Sequence, residues 1–365
     1  MLERATNKYK GRCNHNKIKP DCNMKNWLVV LLMVIGWDKV FAQADIHFSQ
    51  FYETSILRNP ALTGVFADDY KFGLYYRNQW KSITFPYETF LFSAETRFSV
   101  SHASEDFVSI GVLGFSDKAG SLSQQITTVY PAVNYNKSIN PNHNSYLSVG
   151  FTFGYIQYSF DPSKATFNSQ YMNGTYDPNN PSMENMPKPN MNLWDMGAGV
   201  NYNMSMGVDN KATMVLGASA YHFTQPGFSY YKTPEVDLNL RFNANAALGF
   251  AMNEDMSMQL HANYARQGTY SEIMVGGLFN WTAASMDARP IFGLSFGAFY
   301  RYNDAVIPVI KLKYMNWSLG MSYDTNISTL KEASNMQGGL EMTLFVSGQW
   351  NNGNAALKKT VCPRF

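Results

Sequence analysis

The chain has 365 residues, and aromatic and charged residues each make up 15% of it, whereas charged residues make up about 25% of a typical globular domain. Of its 29 Lys/Arg and 27 Asp/Glu residues, eight basic and three acidic ones precede position 43, which leaves 21 and 24 and a net charge near −3 in the rest of the chain. Because no basic field remains there, the composition argues against nucleic-acid binding.

The first element in chain order is an apolar segment at residues 27–37, WLVVLLMVIGW, which follows Lys25 and leads to Ala42 and Ala44. This is the layout of a signal peptide, and the segment is too short for a transmembrane helix, which needs about 20 residues. We expect residues 24–44 to be a signal peptide that is cleaved after Ala42 or Ala44. Residues 1–23 are then an upstream extension from a wrongly assigned start, and Met24 is the true first residue.

The cysteines argue against two kinds of cross-link in the processed chain. Cys13 and Cys22 precede the expected cleavage site and Cys362 stands alone near the end, so we expect no internal disulfide. The sequence also lacks the Cys/His spacings that are typical of zinc sites. We therefore expect no metal and no cofactor, and a protein held together by its sheet.

From residue 70 onward apolar and polar residues alternate, which is the pattern of β-strands with one apolar and one polar face. In residues 147–155 the apolar side chains occupy the odd positions. At Ile156 and Tyr158 they move to even positions, which predicts a bulge or the end of that strand. Fourteen such runs lie near residues 70–80, 89–98, 107–115, 126–136, 146–158, 192–205, 213–223, 237–251, 255–266, 272–281, 291–300, 305–314, 316–324 and 338–346.

These runs predict an all-β fold, a transmembrane antiparallel β-barrel of about 14 strands and of outer-membrane type, over residues 70–348. Most runs match the ~9 to 11 residues that a tilted strand needs to cross a membrane. Long connections near residues 159–190, 224–236 and 325–337 fall on one side and very short ones at 252–254 and 315 on the other, as expected for external loops and periplasmic turns. The sheet must close into a barrel, because lipid cannot form hydrogen bonds with the backbone N–H and C=O groups of a free strand edge.

The two faces of the strands give further predictions. Charged and polar residues that are costly toward lipid should face the lumen, and these are Glu95, Arg97, Asp195, Arg241, His261 and Glu341. Aromatic residues stand at strand ends, as in membrane-interface girdles, and these are Tyr70, Trp80, Trp194, Trp281, Tyr300 and Trp317. A large soluble β-sandwich is the alternative, but its apolar faces would carry mainly compact aliphatic residues.

A series of motifs extends over roughly residues 45–365. The first is DIHFSQFYETSILRNPALTG at residues 45–64, and YRNQW at 76–80 and LGASAYHFTQP at 216–226 follow it. Then come FYRYNDAVIP, GMSYDTNISTL and GGLEMTL, and the chain closes with CPRF. In order and spacing these motifs resemble the PorP/SprF family of Bacteroidetes-type bacteria. Beyond residue 70 the positions that carry the resemblance are Arg77, Trp80, Ser219, His222, Pro226, Arg301, Asp304, Tyr323, Asp324, Gly338, Gly339, Glu341, Pro363 and Phe365.

The resemblance implies an outer-membrane component of the type IX secretion system, a non-enzymatic protein that assists export or surface attachment of adhesins and, in gliding bacteria, motility. The partners it implies are outer-membrane lipid, periplasmic or peptidoglycan-linked subunits of that system, and exported surface proteins. A passive porin or hydrophobic-substrate channel is the alternative, because the fold alone does not exclude it.

Residues 45–69 precede the first strand, and we expect them on the periplasmic side or inside the lumen. One interpretation is a plain connection with an Asn-Pro turn. The other is a plug or a docking element for partners, with candidate residues Phe48, Gln50, Asn59, Pro60, Ala61 and Gly64.

His222 is the most reactive side chain of the motifs, and Ser219 lies three positions before it. A strand points such a pair to opposite faces, which argues against a nucleophile and base acting together. We interpret His222 as an interfacial residue hydrogen-bonded near a strand end, with contact to a partner or loop as the functional alternative. No catalytic residues are predicted.

Two further segments have open interpretations. The loop at residues 161–189 is too long for a simple connection, so it either folds over the pore, meets an exported protein or is disordered. In the tail, residues 349–365, Phe365 is a candidate for a barrel-assembly signal, although residues 349–359 separate it from the last strand.

Overall fold

The computed structural model describes residues 45–80, 85–100, 105–140, 144–184, 190–207, 211–230, 237–283, 291–329 and 331–350. The signal peptide, the upstream extension, Pro363 and Phe365 lie outside the described residues.

Fourteen antiparallel strands form a closed barrel in which each strand pairs with its neighbours along the chain and the first pairs with the last. The predicted fold class is confirmed, and every predicted run overlaps one barrel strand. The strands are β1 (Tyr70–Gln79), β2 (Tyr87–Ser99), β3 (Phe107–Ala119), β4 (Gln124–Ser138), β5 (Ser145–Ser159), β8 (Asn190–Met206), β9 (Ala212–Tyr221), β10 (Arg241–Ala251), β11 (Met256–Gln267), β12 (Tyr270–Thr282), β13 (Phe292–Arg301), β14 (Ala305–Tyr314), β15 (Trp317–Asn326) and β16 (Gln337–Gly348). A small hairpin, β6 (Tyr171–Met172) and β7 (Thr175–Tyr176), lies between β5 and β8.

The alternation along the strands separates an apolar outer face from a polar inner face. On β5 the side chains of Phe151 and Phe153 are exposed on the outside, while Ser148 and Thr152 are buried inside. A lipid environment favours this arrangement, because closure pairs the backbone groups within the wall and apolar side chains meet the acyl chains. No helix within the described ranges is long and apolar enough to cross a bilayer.

The predicted bulge or strand end at Ile156 is wrong. β5 keeps one register with β8 up to Ser159, and Ile156 and Tyr158 are buried on the inner face. The change of pattern has another cause. In this part of the lumen the inner face is itself apolar, because it packs against residues 45–69.

The connections differ between the two ends of the barrel, as predicted. The end that carries connections 160–189, 222–240 and 327–336 is called the long-loop end. The opposite end, called the short-turn end, carries connections such as 252–255 and 315–316. Of the loop predicted at 161–189, residues 185–189 lie outside the described residues, and the rest forms short 3-10 turns and the β6–β7 hairpin.

Residues 45–69, called the luminal segment, run through the barrel from one end to the other. At the long-loop end the backbone N–H of Asp45 donates to Gln267 Oε1 at 2.9 Å. At the short-turn end the N–H of Asp69 donates to Gly348 O at 2.8 Å, and β1 begins at the next residue. Between these points the segment forms three short helical turns, Phe51–Glu53, Ser55–Arg58 and Pro60–Leu62.

Candidate functional site

The luminal segment packs against the wall through an apolar core. Its Phe48, Ile56 and Leu57 are buried against inward residues of seven strands and of the loop before β10. A second cluster holds Phe51 against the wall, and Tyr52 stacks on Phe299 with ring centroids 5.0 Å apart. Burial of such side chains stabilises by roughly 1.5–3 kcal/mol each. In the first core the wall contributes Tyr75, Leu91, Leu113, Tyr130, Ala132, Ile156, Tyr158, Met191, Leu193, Leu238 and Phe345.

At the long-loop end, Asp45 is held by two charged residues, His222 just after β9 and Arg241 at the start of β10. Its Oδ2 lies 2.7 Å from His222 Nε2 and 3.3 Å from Arg241 Nη1. The other ring nitrogen of His222 lies 2.9 Å from Asp195 Oδ2. This second contact pairs the imidazole ring with a carboxylate that is itself fully buried. Asp195 is fixed in turn by Tyr130, whose hydroxyl donates to it at 2.7 Å.

The charges in this cluster fix the protonation of its members. Burial alone would lower the pKa of His222, but the carboxylates of Asp45 and Asp195 overcome this and raise the pKa to about 9. Burial likewise opposes ionisation of Asp45, yet His222 and Arg241 hold the pKa of that carboxyl well below its usual range. The site is therefore an imidazolium between two carboxylates at neutral pH.

A second anchor binds Ser49 and Gln50 through two buried carboxylates. Glu341 accepts from the N–H of Ser49 at 2.7 Å and from the N–H of Gln50 at 3.2 Å. Asp324 accepts from the Ser49 hydroxyl at 2.5 Å and lies between Arg77, at 3.3 Å, and Arg301, at 3.1 Å. These wall residues all belong to family motifs, and the structure brings them together around the luminal segment.

Glu53 forms the third charged anchor. Its carboxylate pairs with Lys71 Nζ at 2.9 Å and with Lys311. The backbone O of Glu53 also accepts from the Tyr75 hydroxyl at 2.7 Å.

Asn59 lies in the middle of the lumen, where its contacts are uncharged. Its Nδ2 lies within hydrogen-bonding distance of Val200 O at 3.1 Å and Asn245 Oδ1 at 3.0 Å. Its Oδ1 accepts from the N–H of Ala61 at 2.9 Å and so caps the turn that begins at Pro60. An asparagine before a proline suits this role, because the proline removes one N–H donor and fixes φ at the first helical position.

Three glycines of the wall make room for the Asn-Pro turn. Gly150 of β5 and Gly199 of β8 are register partners, and Gly217 of β9 lies beside them, paired with Asn201. A Cβ on any of the three would lie under 3.0 Å from backbone or side-chain atoms of Asn59, Pro60 or Ala61. These three glycines are called the Asn-Pro seat, because only glycine lets the segment approach the strands so closely.

Toward the short-turn end the wall holds mainly the backbone of the segment. Glu95 accepts from the N–H of Gly64 at 2.9 Å and from the Ser55 hydroxyl at 2.6 Å. Arg97 donates to Phe66 O at 2.8 Å and to Ala67 O at 3.0 Å. Gly64 has a φ of +72° and lies against Ser109, so a side chain there would be both strained and obstructed.

The remaining sequence candidates lie in different places. His261 faces the lumen with its ring 5.2 Å from that of Tyr52. Trp80 packs edge-on against Tyr87 just after β1, and Tyr323 is exposed on the outer face. The rest lie at the long-loop end: Pro226, Asp304, Gly338 and Gly339.

The prediction that Ser219 and His222 point to opposite faces is wrong. Both side chains are buried inside. The predicted hydrogen bond of His222 near a strand end is present, because His222 follows the last residue of β9 and bonds to Asp45. β9 ends at Tyr221, and His222 has a positive φ of 64°, which breaks the two-residue alternation and turns its ring inward. The two side chains still do not meet, because Ser219 donates to Arg58 O at 2.9 Å while His222 binds Asp45 and Asp195.

Several residues of this site were not singled out from the sequence. Strand parity marks the wall amides as inward and polar, but it does not say which of them meet the segment. Within the segment itself, Ser49 and Glu53 carry no local signal at all. In the part of the chain that the structure describes, no group of His, Cys, Asp and Glu is arranged to hold a metal ion.

A closed antiparallel barrel with an apolar outer face and a lumen of charged and amide groups defines an outer-membrane β-barrel protein. Residues 40–344 match the family described as type IX secretion system membrane protein PorP/SprF. The chain therefore belongs to the PorP/SprF family, and it is an outer-membrane component of the type IX secretion system. The resemblance seen in the motifs is confirmed.

Solved structures show the same fold at low sequence identity. A FadL homologue of Pseudomonas aeruginosa is similar with a TM-score of 0.50 and 10% identity, over 82% of this chain and 94% of that one. A deletion mutant of the monoaromatic hydrocarbon channel TodX is similar with a TM-score of 0.51 and 10% identity, over 81% and 93%. Among curated proteins no sequence matches. At such identities the likeness concerns the fold alone.

Proposed function

We propose that this protein assists the export or the surface attachment of adhesins, and through them gliding motility, as a binding component that catalyses no reaction. The observation that carries the proposal is the luminal segment, which fills the barrel from the long-loop end to the short-turn end. A barrel whose lumen holds an ordered polypeptide along its length is suited to bind polypeptide chains and not to conduct small solutes. Within the secretion system, the chains available to it are exported proteins and other subunits.

A passive porin or hydrophobic-substrate channel is the competing function. Against it stand the three anchors at Asp45, Ser49 and Glu53, each of which ties the segment to buried charges of the wall. Removing one partner of a buried pair costs about 3–5 kcal/mol, so an empty, conducting lumen is disfavoured. The similarity to a hydrocarbon channel adds nothing to this alternative, since it concerns the fold.

The orientation that follows from the connections assigns a side to each end. With long loops outside, the short-turn end faces the periplasm. There Ala67 is exposed, and residues 66–69 offer a docking position for periplasmic or peptidoglycan-linked subunits. We propose that residues 24–44 direct export and are removed.

Deletion of residues 45–64 tests the proposed function. The variant barrel is first checked for heat-modifiable migration on a gel, and the surface proteome of the strain is then compared with that of the parent. We expect particular surface proteins to fall in abundance. A surface proteome that does not change, in a strain whose barrel is assembled, would reject the proposal.

A conductance measurement separates the two functions. We expect the purified full chain to be closed in a planar bilayer and the deletion variant to show steady current. Steady current through the intact protein would favour the porin.

A further inference from the structure

Along residues 56–63 the polar groups of the wall bind mainly the backbone of the luminal segment. The Tyr221 hydroxyl donates to Ile56 O, and Asn243 donates to Arg58 O at 3.1 Å. Asn134 donates to Ala61 O at 2.9 Å and to Thr63 O at 2.8 Å. Any polypeptide presents such carbonyl groups, so this part of the wall recognises a turned backbone with little dependence on its sequence.

Within residues 56–63, Asn59 is recognised by its side chain. Asn59 reaches the wall between Gly150, Gly199 and Gly217, and its amide meets both a strand carbonyl and Asn245. Main-chain contacts along the segment with one specific pocket are the usual division of labour in peptide recognition, where backbone bonds give affinity and pockets give specificity.

The wall has more hydrogen-bonding capacity here than the segment uses. Four buried amide atoms on the inner face have no hydrogen-bond partner among the described residues: Asn134 Oδ1, Asn136 Nδ2, Asn243 Oδ1 and Asn263 Oδ1. Leaving such an atom unpaired costs about 1–3 kcal/mol. If the wall bound only this segment, pairing these four atoms would make the protein more stable. Unpaired amides are expected if the wall also binds a backbone that is placed differently.

We propose that the inner wall around the Asn-Pro seat is a polypeptide-binding site, and that the luminal segment occupies it as an internal ligand which an exported chain with an Asn-Pro turn replaces. The proposal rests on the proposed function, because that function supplies the exported chain. The neutral amides and the glycine seat select a backbone turn rather than an ion. The internal ligand has the advantage of its covalent link, which gives it a high effective concentration.

The test starts from the folded full chain. A protease recognition sequence is inserted after Ala67, which is exposed, and the purified barrel in detergent is cut there after folding. A fluorescent synthetic peptide of residues 45–66 is added, and its binding is followed by anisotropy while release of the original fragment is followed by mass spectrometry. We expect saturable exchange.

Matched peptides and a wall variant define the specificity. Asn59→Ala in the peptide should weaken binding at least about tenfold, because it loses hydrogen bonds worth roughly 1.4 kcal/mol or more. Val65→Ala, at a partly exposed position whose N–H bonds only within the segment, should leave affinity unchanged. Gly199→Ala in the wall should weaken binding of the parent peptide at least about fivefold.

A third peptide separates an exported-chain ligand from a site that fits only this segment. It keeps Asn-Pro-Ala at its centre within an unrelated Ser/Gly-rich sequence, and we expect it to compete, while the same peptide with Ala-Pro-Ala does not. No exchange after cutting, or equal binding of a scrambled 45–66 peptide, would overturn the proposal. So would failure of the Ser/Gly-rich peptide to compete.

The outcome for the proposed function is read separately. If the peptides do not bind but deletion of residues 45–64 still changes the surface proteome, the proposed function stands and this site is rejected. If the peptides bind as expected but Gly199→Ala leaves the surface proteome of the strain unchanged, the site stands and the proposed function fails.

Discussion

The two halves of the luminal segment are held by different chemistry. From Asp45 to Glu53 the wall grips it with buried ion pairs to His222, Arg241 and Lys71. From Asn59 to Thr63 the wall offers amides, hydroxyls and glycine, and these contacts are neutral; beyond them Glu95 and Arg97 bind the backbone of the segment. In the charged half, removing one partner of an ion pair costs much free energy of folding. The neutral half is held by the fit of its shape to the wall.

This difference assigns separate tasks to the two halves. Buried charges must be paired to be tolerated, so they permit one arrangement of the segment. Neutral amides accept several arrangements of a backbone at similar cost. The charged half therefore holds the segment in the barrel, and the neutral half is the part that another polypeptide can imitate.

The largest effect is expected from Asp324→Ala. Its carboxylate lies between two buried guanidinium groups, those of Arg77 and Arg301, and it accepts from Ser49. Loss of a partner of a buried pair should lower the free energy of unfolding by about 3–5 kcal/mol. Urea unfolding in lipid vesicles, followed by gel migration, measures it.

Asp304→Ala is the matched control. It removes a carboxylate that also pairs with Arg301, at 2.9 Å, but its side chain is 42% exposed. We expect a much smaller loss. Equal losses from the two variants would contradict the view that burial gives the charged half its strength.

The strands could be predicted because membrane strands obey a local rule. Residues two apart share a face, so the apolar outer side of β5 is visible in its own sequence at Phe151 and Phe153. The same rule failed where the lumen is apolar, at Ile156, and where a positive φ turned His222 inward. Both failures follow from the luminal segment, which changes what the inner face contacts.

The partners within the site could not be predicted, because they join distant parts of the chain. The N–H of Ser49 and the carboxylate of Glu341 are 292 positions apart. Parity indicates that Glu341 points inward, and the motif indicates that residues 45–64 matter, but neither says that the two meet. Only closure of the barrel around the segment determines that pairing.

The second prediction concerns pH and His222. Its pKa rises from 6.5 to about 9 on folding. Protonation of His222 therefore stabilises the folded state, fully below pH 6.5, and this stabilisation is lost as the pH rises through 9. The loss should be on the order of 3 kcal/mol across that window. His222→Gln should remove this slope from the measured free energy of unfolding.

His47→Gln is the matched control for the pH series. Burial and the nearby arginines Arg77, Arg301 and Arg241 hold the pKa of His47 well below 6.5, so His47 stays neutral in the folded protein throughout the window. The variant should keep the slope of the parent protein. A slope that survives in His222→Gln would show that another group titrates there.

The third prediction tests the neutral half. Gly199→Ala places a Cβ under 3.0 Å from Asn59 Oδ1, and such overpacking costs about 1–3 kcal/mol. Because the charged half is untouched, we expect the barrel to remain assembled while protease cuts residues 55–64 faster. Gly293→Ala is the matched control. The nearest atoms lie 3.4 Å from its new Cβ, which is an ordinary contact, so the rate of cleavage should not change.

The smallest effect is expected from Lys137→Ala at the short-turn end. The Lys137 Nζ lies 3.5 Å from Asp106, a spacing like that of the Arg77–Asp324 pair, but its side chain is 60% exposed. Water screens an exposed pair and the lysine loses side-chain entropy in forming it, so the loss should stay within about 0–1 kcal/mol. Together with Asp324→Ala, this variant separates burial from distance. A loss as large as that of Asp324→Ala would mean that spacing, and not desolvation inside the barrel, sets the strength of the charged half.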